Sequence, residues 1–457
     1  MKWRKNNSIF TIGRIIQLYF IFICFMYYFQ VTLSRKDFVP LIFLFLFFFT
    51  IFTVYRLPKS RLVSPALNTF FEFFYYYIFY MALWIGYEFL VNLTGIHWLR
   101  MFVYFACPIC LVFLITKCEE NFQINDIWSL QTVIVLLAII TGIEVVYEWL
   151  HVNYFRLGTT DFMEKAYQYV ETLGYGTISG QIAYREGVIL RPPGILGHIH
   201  ITGTFLGIGI LTAIHLFYSK KSTVFLIIGY LLLTMLVIIG ARTALVSAIA
   251  STGLYIFHNN RIIKSSFYFN RKKFNYFIRI LGISTFGFIL ILWQGGETLY
   301  KIYVQYFKNS LFKLQFDDNY SFFDMFWSNM GGAFNAIYHN PSLIPLGNGY
   351  SSFKIRVGTS GDLLLGTLFA KYGIVGMFII FSILLLFIIS MRKTIRLVLL
   401  PPEVKEIANY SLALIVLLII TALHSPVLMR KEIYSYLFLG YGLGWWAYIQ
   451  GLKKVVT

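Results

Sequence analysis

Arginines at the edges of long apolar stretches are the residues of this chain best placed to do chemistry. Arg191 stands in Arg191-Pro192-Pro193-Gly194, Arg242 sits between Gly240-Ala241 and Thr243-Ala244-Leu245, and Arg185 lies six residues before Arg191. A guanidinium presents a planar fork that can hold a phosphate at two oxygens. Charge at membrane depth is costly, so such cations point to a ligand unless they reach back to the interface. For Arg242 that snorkelling alternative stays open. The two prolines stiffen the approach to Gly194, which lets the backbone turn close to a bound group. Two or three arginines gathered at a membrane surface suit an anionic headgroup whose hydrocarbon tail stays in the bilayer, a lipid-linked diphosphate above all.

Histidines and carboxylates supply the acid-base candidates. His198 and His200 point about 200° apart on a helix, so a shared metal ion is not expected. No His-Glu-x-x-His, spaced carboxylate pair or Cys/His quartet occurs in the chain, and no metal or other cofactor is expected. His339 stands in Tyr338-His339-Asn340-Pro341, ahead of Leu346-Gly347-Asn348-Gly349. It can cap an amphipathic helix or, as a neutral imidazole beside a sugar, take the proton of a hydroxyl. Asp362 is the carboxylate candidate for the same role. His424, in Leu423-His424-Ser425-Pro426, reads as structural ahead of catalytic. Lys371 lies within an apolar run and needs a partner, for which Glu88 and Glu144 are possible.

The elements that must carry these residues follow from composition. Of 457 residues, 13 % are charged and 58 % hydrophobic, against roughly 25 % charged in soluble domains. The apolar residues come in runs near the ~20 needed to cross a hydrocarbon core about 30 Å thick. Continuous runs argue helix where a barrel would alternate. The fold class expected is an all-α polytopic membrane protein of twelve spans. These lie near 9-31, 38-55, 68-92, 98-116, 127-149, 197-218, 223-239, 242-257, 278-294, 363-391, 406-424 and 432-450. The first is read as an anchor rather than a cleaved signal, because no small-residue cleavage site follows it. The chain is expected to form one integral domain over 1-457.

The net charge of +18 is read as topology and not as a nucleic-acid surface, since no basic tract with interleaved aromatics is present. With both termini in the cytoplasm, 21 cations fall on the cytoplasmic side, including the basic loop 258-277. Another 15 fall on the other side, mostly in two long loops, where the positive-inside rule carries little weight. Those outer loops are 150-196 and 295-361. In the first, Asp161-x-x-Glu164 opens a helix carrying Phe162, Ala166, Val170 and Leu173. In the second, Ser321-x-x-Asp324 opens a stripe of Phe323, Phe326, Trp327, Met330, Phe334 and Ile337 fit to lie on a bilayer surface. Both helices either cap the bundle or roof a cavity. Cys24, Cys107, Cys110 and Cys118 lie in or beside apolar runs and read as unreactive core thiols, the spacing of Cys107-Pro108-Ile109-Cys110 notwithstanding.

Taken together, Arg191-Pro-Pro-Gly-Ile-Leu-Gly-His, the Gly240-Ala-Arg-Thr-Ala-Leu turn, His339-Asn-Pro with Leu-Gly-Asn-Gly, and Asp362-Leu-Leu-Leu with Lys371-Tyr-Gly-Ile-Val-Gly376 resemble signature segments of the O-antigen ligase and polymerase superfamily. The matching region runs from about 185 to 380. The resemblance implies a metal-independent, inverting glycosyltransferase at the outer face of the bacterial inner membrane. Its donor would be an undecaprenyl-diphosphate-linked oligosaccharide, with Arg191 and Arg242 as diphosphate ligands. The ligases of this superfamily carry a His-Asn pair where this chain has Asp362-Leu363. The polymerase branch is therefore preferred, with a second lipid-linked repeat unit as acceptor and a membrane chain-length regulator as a further partner. The alternatives are a ligase acting on lipid A core and, in a different class, a transporter of lipid-linked oligosaccharide. Asp362 or His339 would be the base, and a transporter would show Gly- or Pro-broken helices matched between its halves.

Overall fold

In hydrocarbon a chain must satisfy its own backbone hydrogen bonds, and every regular element among the described residues is a helix. The computed structural model describes residues 12–33, 43–51, 65–92, 107–117, 122–155, 157, 160–165, 192, 194–197, 199–263, 364–397, 400–424 and 431–456. The helices are α1 (Ile12–Leu33), α2 (43–51), α3 (Pro65–Asn92), α4 (Ile109–Lys117), α5 (Ile124–Trp149), α6 (Ile199–Lys220), α7 (Thr223–Ile239), α8 (Arg242–Ile263), α9 (Leu364–Arg396), α10 (Pro402–His424) and α11 (Lys431–Val456). A π-helical turn, Leu150–Tyr154, prolongs α5.

Four stretches are long and apolar enough to cross a membrane: Ile124–Val152, Ile199–Lys220, Gly373–Arg396 and Pro402–Ala422, of 21 to 29 residues. At about 1.5 Å per residue, even the shortest covers roughly 30 Å. The protein is an all-α, membrane-embedded chain. Ile12–Met26 and Thr223–Ile239 are apolar but shorter. The expected span 278-294 lies outside the described residues, as do the outer loop 295-361 and Cys118. The remaining expected spans fall wholly or partly on described helices.

Local sequence explains where the helices begin and end. At the start of α5 the Gln123 N–H donates to Asp126 Oδ2 at 2.9 Å, in a capping box with Asp126 in the first turn. Gly240, at φ 65°, ends α7 in the left-handed conformation and donates its N–H to Val237 O at 3.1 Å. Two residues later Arg242 opens α8.

The core forms around α6, which packs against α5, α7, α8 and α10. Small residues permit this approach: Gly203 faces Ala241 and Ala244, Gly207 faces Ala248, and Gly209 faces Ala138 of α5. At the periphery α9 packs on α3, α10 and α11. Its Phe378, Phe381, Leu385 and Ile389 are exposed at helical spacing, forming an apolar stripe.

A buried polar cluster joins α6, α8 and α10 where α6 ends and α10 begins. His215 Nδ1 lies 2.9 Å from the Tyr255 hydroxyl, and Nε2 lies 3.4 Å from Ser219 Oγ. Ser219 donates to Glu406 Oε2 at 2.9 Å, and Asn409 Nδ2 donates to Tyr255 O at 2.9 Å. The Tyr410 hydroxyl completes the cluster 2.9 Å from Thr212 Oγ1.

Several boundaries differ from expectation. The outer loop expected from 150 starts as π-helix, because the α5 backbone goes on satisfying itself past Trp149. Of the helix expected from Asp161, residues 161–165 are helical, while Ala166, Val170 and Leu173 lie outside the described residues; the preceding Thr160 is its cap, with Met163 N–H donating to Thr160 Oγ1 at 3.2 Å. Its Phe162 stacks on Tyr28 of α1 at 5.1 Å and its Met163 is buried, so the helix docks on the bundle. The basic loop expected from 258 begins inside α8, where buried Asn259 still packs beside Tyr255. Cys24, Cys107 and Cys110 are free and buried.

Candidate functional site

Residues 194–197 fold into a tight turn ahead of α6. Gly197 N–H donates to Gly194 O at 2.8 Å, with Gly194 at φ 61° and Gly197 at φ 68°. These are backbone conformations that cost a residue with a Cβ, and glycine adopts them freely. Pro192, Ile195 and Leu196 are buried. A Cβ on Gly194 would lie 3.0 Å from Val145 Cγ2 and 3.1 Å from Thr202 Cγ2, so the turn is wedged between the end of α5 and the first turn of α6. Glu148 fixes it there: the Gly194 N–H donates to Glu148 Oε2 at 2.9 Å.

The other candidate residues can be located from this turn. His200, half-buried, lies in the first turn of α6, and its carbonyl accepts from Thr204 Oγ1 at 2.6 Å. One turn further, Gly203 meets Ala241 and Ala244, which places the start of α8, and with it the backbone of Arg242, against the start of α6. Farther along α8, Ser247 Oγ lies 2.6 Å from Thr421 Oγ1, so the last turn of α10, ending at His424, reaches the same end of the bundle. The Gly194 turn, His200, the Arg242 helix start and the His424 helix end thus share one end. The polar cluster of His215 and Glu406 lies toward the other.

Arg185, Arg191, His198, His339 and Asp362 lie outside the described residues, as do the side chains of Arg242, His424, Lys371 and Glu88. Chain length alone keeps the Cα of Arg191 within about 11 Å of Gly194, at 3.8 Å per residue. Glu144, considered as a partner for Lys371, is half-buried one turn before Glu148. Among the described residues no three of His, Cys, Asp and Glu come together as a metal site would require.

Glu148 is the residue that sequence reasoning passed over. It is fully buried, and its Oε1 finds no hydrogen-bond partner among the described residues. The available signal was a second carboxyl one helical turn from Glu144 inside an apolar run. A second unexpected feature lies in Lys371-Tyr372-Gly373, where Gly373 breaks α9 at φ 60°, ψ −167°.

No model of a known protein family matches this chain, and no curated protein matches it in sequence.

Proposed function

We propose that the protein is a polymerase of lipid-linked glycan repeat units, joining undecaprenyl-diphosphate-linked oligosaccharides at the outer face of a bacterial inner membrane. In this reading Arg191 and Arg242 grip the donor diphosphate and neutralise the charge that builds on it as it leaves, the larger electrostatic contribution. Asp362 or His339 takes the proton of the attacking hydroxyl of the second lipid-linked unit, worth a further ~10²- to 10⁴-fold. Two substrates anchored in one bilayer gain from proximity. Arg185 is a third diphosphate ligand, both termini are cytoplasmic, and no metal takes part.

One observation carries the reading. The Gly194 turn, which follows Arg191 by three residues, and the α8 start at Arg242 both abut the first turns of α6, at one end of the bundle. Elements that carry or adjoin two motifs about fifty residues apart in sequence thus pack against the same end of α6, which supports the reading.

The test is loss of product without loss of protein. Arg191→Ala and Arg242→Ala should each abolish long-chain glycan ladders on a gel while folded protein remains in the membrane. Mass spectrometry of the accumulating lipid-linked glycans should find single repeat units. Full-length unattached chains would indicate a ligase, and unchanged ladders from either variant would remove the diphosphate grip.

A transporter of the same lipid-linked substrate is favoured by the Gly373 break, since discontinuous helices line transporter sites. Such folds place matching breaks in both halves of the chain. Among the described residues Gly373 is the one positive-φ glycine within a helix.

A further inference from the structure

The C-terminal half of α9 joins two surfaces that the polymerase reading leaves unused. Phe378, Phe381, Leu385 and Ile389 are exposed, and Arg392 and Arg396 are exposed beyond them. At about 100° per residue these six positions fall within about 80° of one another, so the apolar stripe runs straight into the two guanidinium groups. Phe378 to Ile389 covers about 16 Å at ~1.5 Å per residue, close to the ~15 Å hydrocarbon depth of one leaflet. Arg392 then stands about 5 Å past Ile389 and Arg396 about 10 Å past it, at the level of lipid phosphates. Lys393, also exposed, flanks them.

Neighbouring helices end at the same place. Gly451 of α11 faces Leu397 and Leu400, and Trp446 of α11 donates its indole N–H to Phe122 O, shortly after α4. Pro402 opens α10 soon after Arg396, and Ser219 of α6 reaches Glu406 of α10. Lys117, Lys220 and Lys453, at or near the ends of α4, α6 and α11, therefore gather here with the α9 cations. Glu403 and Glu406 offset part of that charge. Cations at a helix end can also serve the helix dipole or set topology. Those roles accept any angle around the helix, whereas here the arginines continue the apolar stripe, an alignment that fits a ligand with both a chain and a charged headgroup.

We propose that the C-terminal half of α9 binds an anionic phospholipid, with an acyl chain along Phe378 to Ile389 and the phosphate held by Arg392 and Arg396. A guanidinium suits a phosphate because its fork can meet two oxygens. A zwitterionic lipid would fit the stripe equally well, but it brings its own ammonium group against the arginines. The inference stands on α9 and the helix ends around it, and not on the polymerase reading.

The test uses the full chain in nanodiscs doped with phosphatidylglycerol or phosphatidylcholine, each carrying the same photoreactive acyl chain, with the labelled residues mapped by mass spectrometry. Phosphatidylglycerol should label α9 between Phe378 and Ile389 about tenfold or more above phosphatidylcholine at equal mole fraction, since each basic residue near an anionic headgroup is worth about fivefold. Arg392→Gln combined with Arg396→Gln should remove most of that preference, and about 0.5 M salt should weaken it in the wild type. Labelling by phosphatidylcholine should stay at the wild-type level in the double variant, as it must if the stripe is intact. If the double variant does not fold, the salt titration of the wild type takes its place. Equal labelling by the two lipids in the wild type overturns the headgroup selection. A stripe that neither lipid labels is covered by protein, which overturns the lipid site. A preference that survives both the double substitution and salt removes the arginines as its source. None of these readouts involves glycan transfer, so the polymerase reading stands or falls separately.

Discussion

Gly194 carries two constraints that a side chain cannot meet together. Its φ of 61° costs an ordinary residue about 1–2 kcal/mol, and a Cβ would press on Val145 and Thr202 at 3.0 and 3.1 Å. Gly194→Ala should therefore lower the thermal unfolding midpoint in detergent and weaken glycan polymerisation together. Gly253, on the outer side of α8 with nothing within 4 Å of an added Cβ, is the control. Gly253→Ala should leave the midpoint unchanged or raise it, since alanine is the better helix former by about 1 kcal/mol. At this scale the sequence reveals that a turn belongs at Pro-Pro-Gly, because those residue types restrict the backbone wherever they occur. It does not reveal Glu148, whose partner is a main-chain amide 46 residues away. Spacing rules find side chains that share a helix face, and a backbone group has no residue type to recognise.

Between helices, stability resides in buried hydroxyls and amides that hydrocarbon cannot satisfy. Tyr255→Phe deletes the hydroxyl 2.9 Å from His215 Nδ1 and leaves a buried nitrogen without it, a loss of about 1–3 kcal/mol. Chemical unfolding of the purified protein should register it. Ser247 and Thr421 lie 2.6 Å apart and bridge α8 to α10, so Ser247→Ala and Thr421→Val should cost less together than the sum of their separate effects. The helices themselves are readable from apolar runs: α7 occupies the expected 223-239, and α6 and α10 lie close to theirs. The misplaced ends have one cause. Hydropathy falls at His258-Asn259, yet the helical ladder continues to Ile263, because Asn259 is buried against a neighbouring turn and not in a loop.

For the molecule as a whole, composition alone yields the class, since only helices could bury runs of this length in lipid, and the described helices agree. Orientation is a separate expectation from the cation bias. A reporter enzyme fused near residue 320 should be active only outside the cytoplasm, and a cytoplasmic signal there would invert the assignment. The grouping of Gly194, Arg242 and His424 at one end is visible in sequence only as three punctuation marks at the ends of apolar runs. What brings them together is the glycine-lined contact of α6 with its neighbours, a property of pairs of helices that no single stretch displays. The 187 residues separating Ser219 from Glu406 have a bearing on biogenesis. The ribosome delivers α6, the most enclosed of the four long spans, well before α10 emerges to receive its serine. Until then the Ser219 hydroxyl lacks its carboxylate, so a nascent chain halted before Pro402 should be an insertase client and a substrate for membrane proteases.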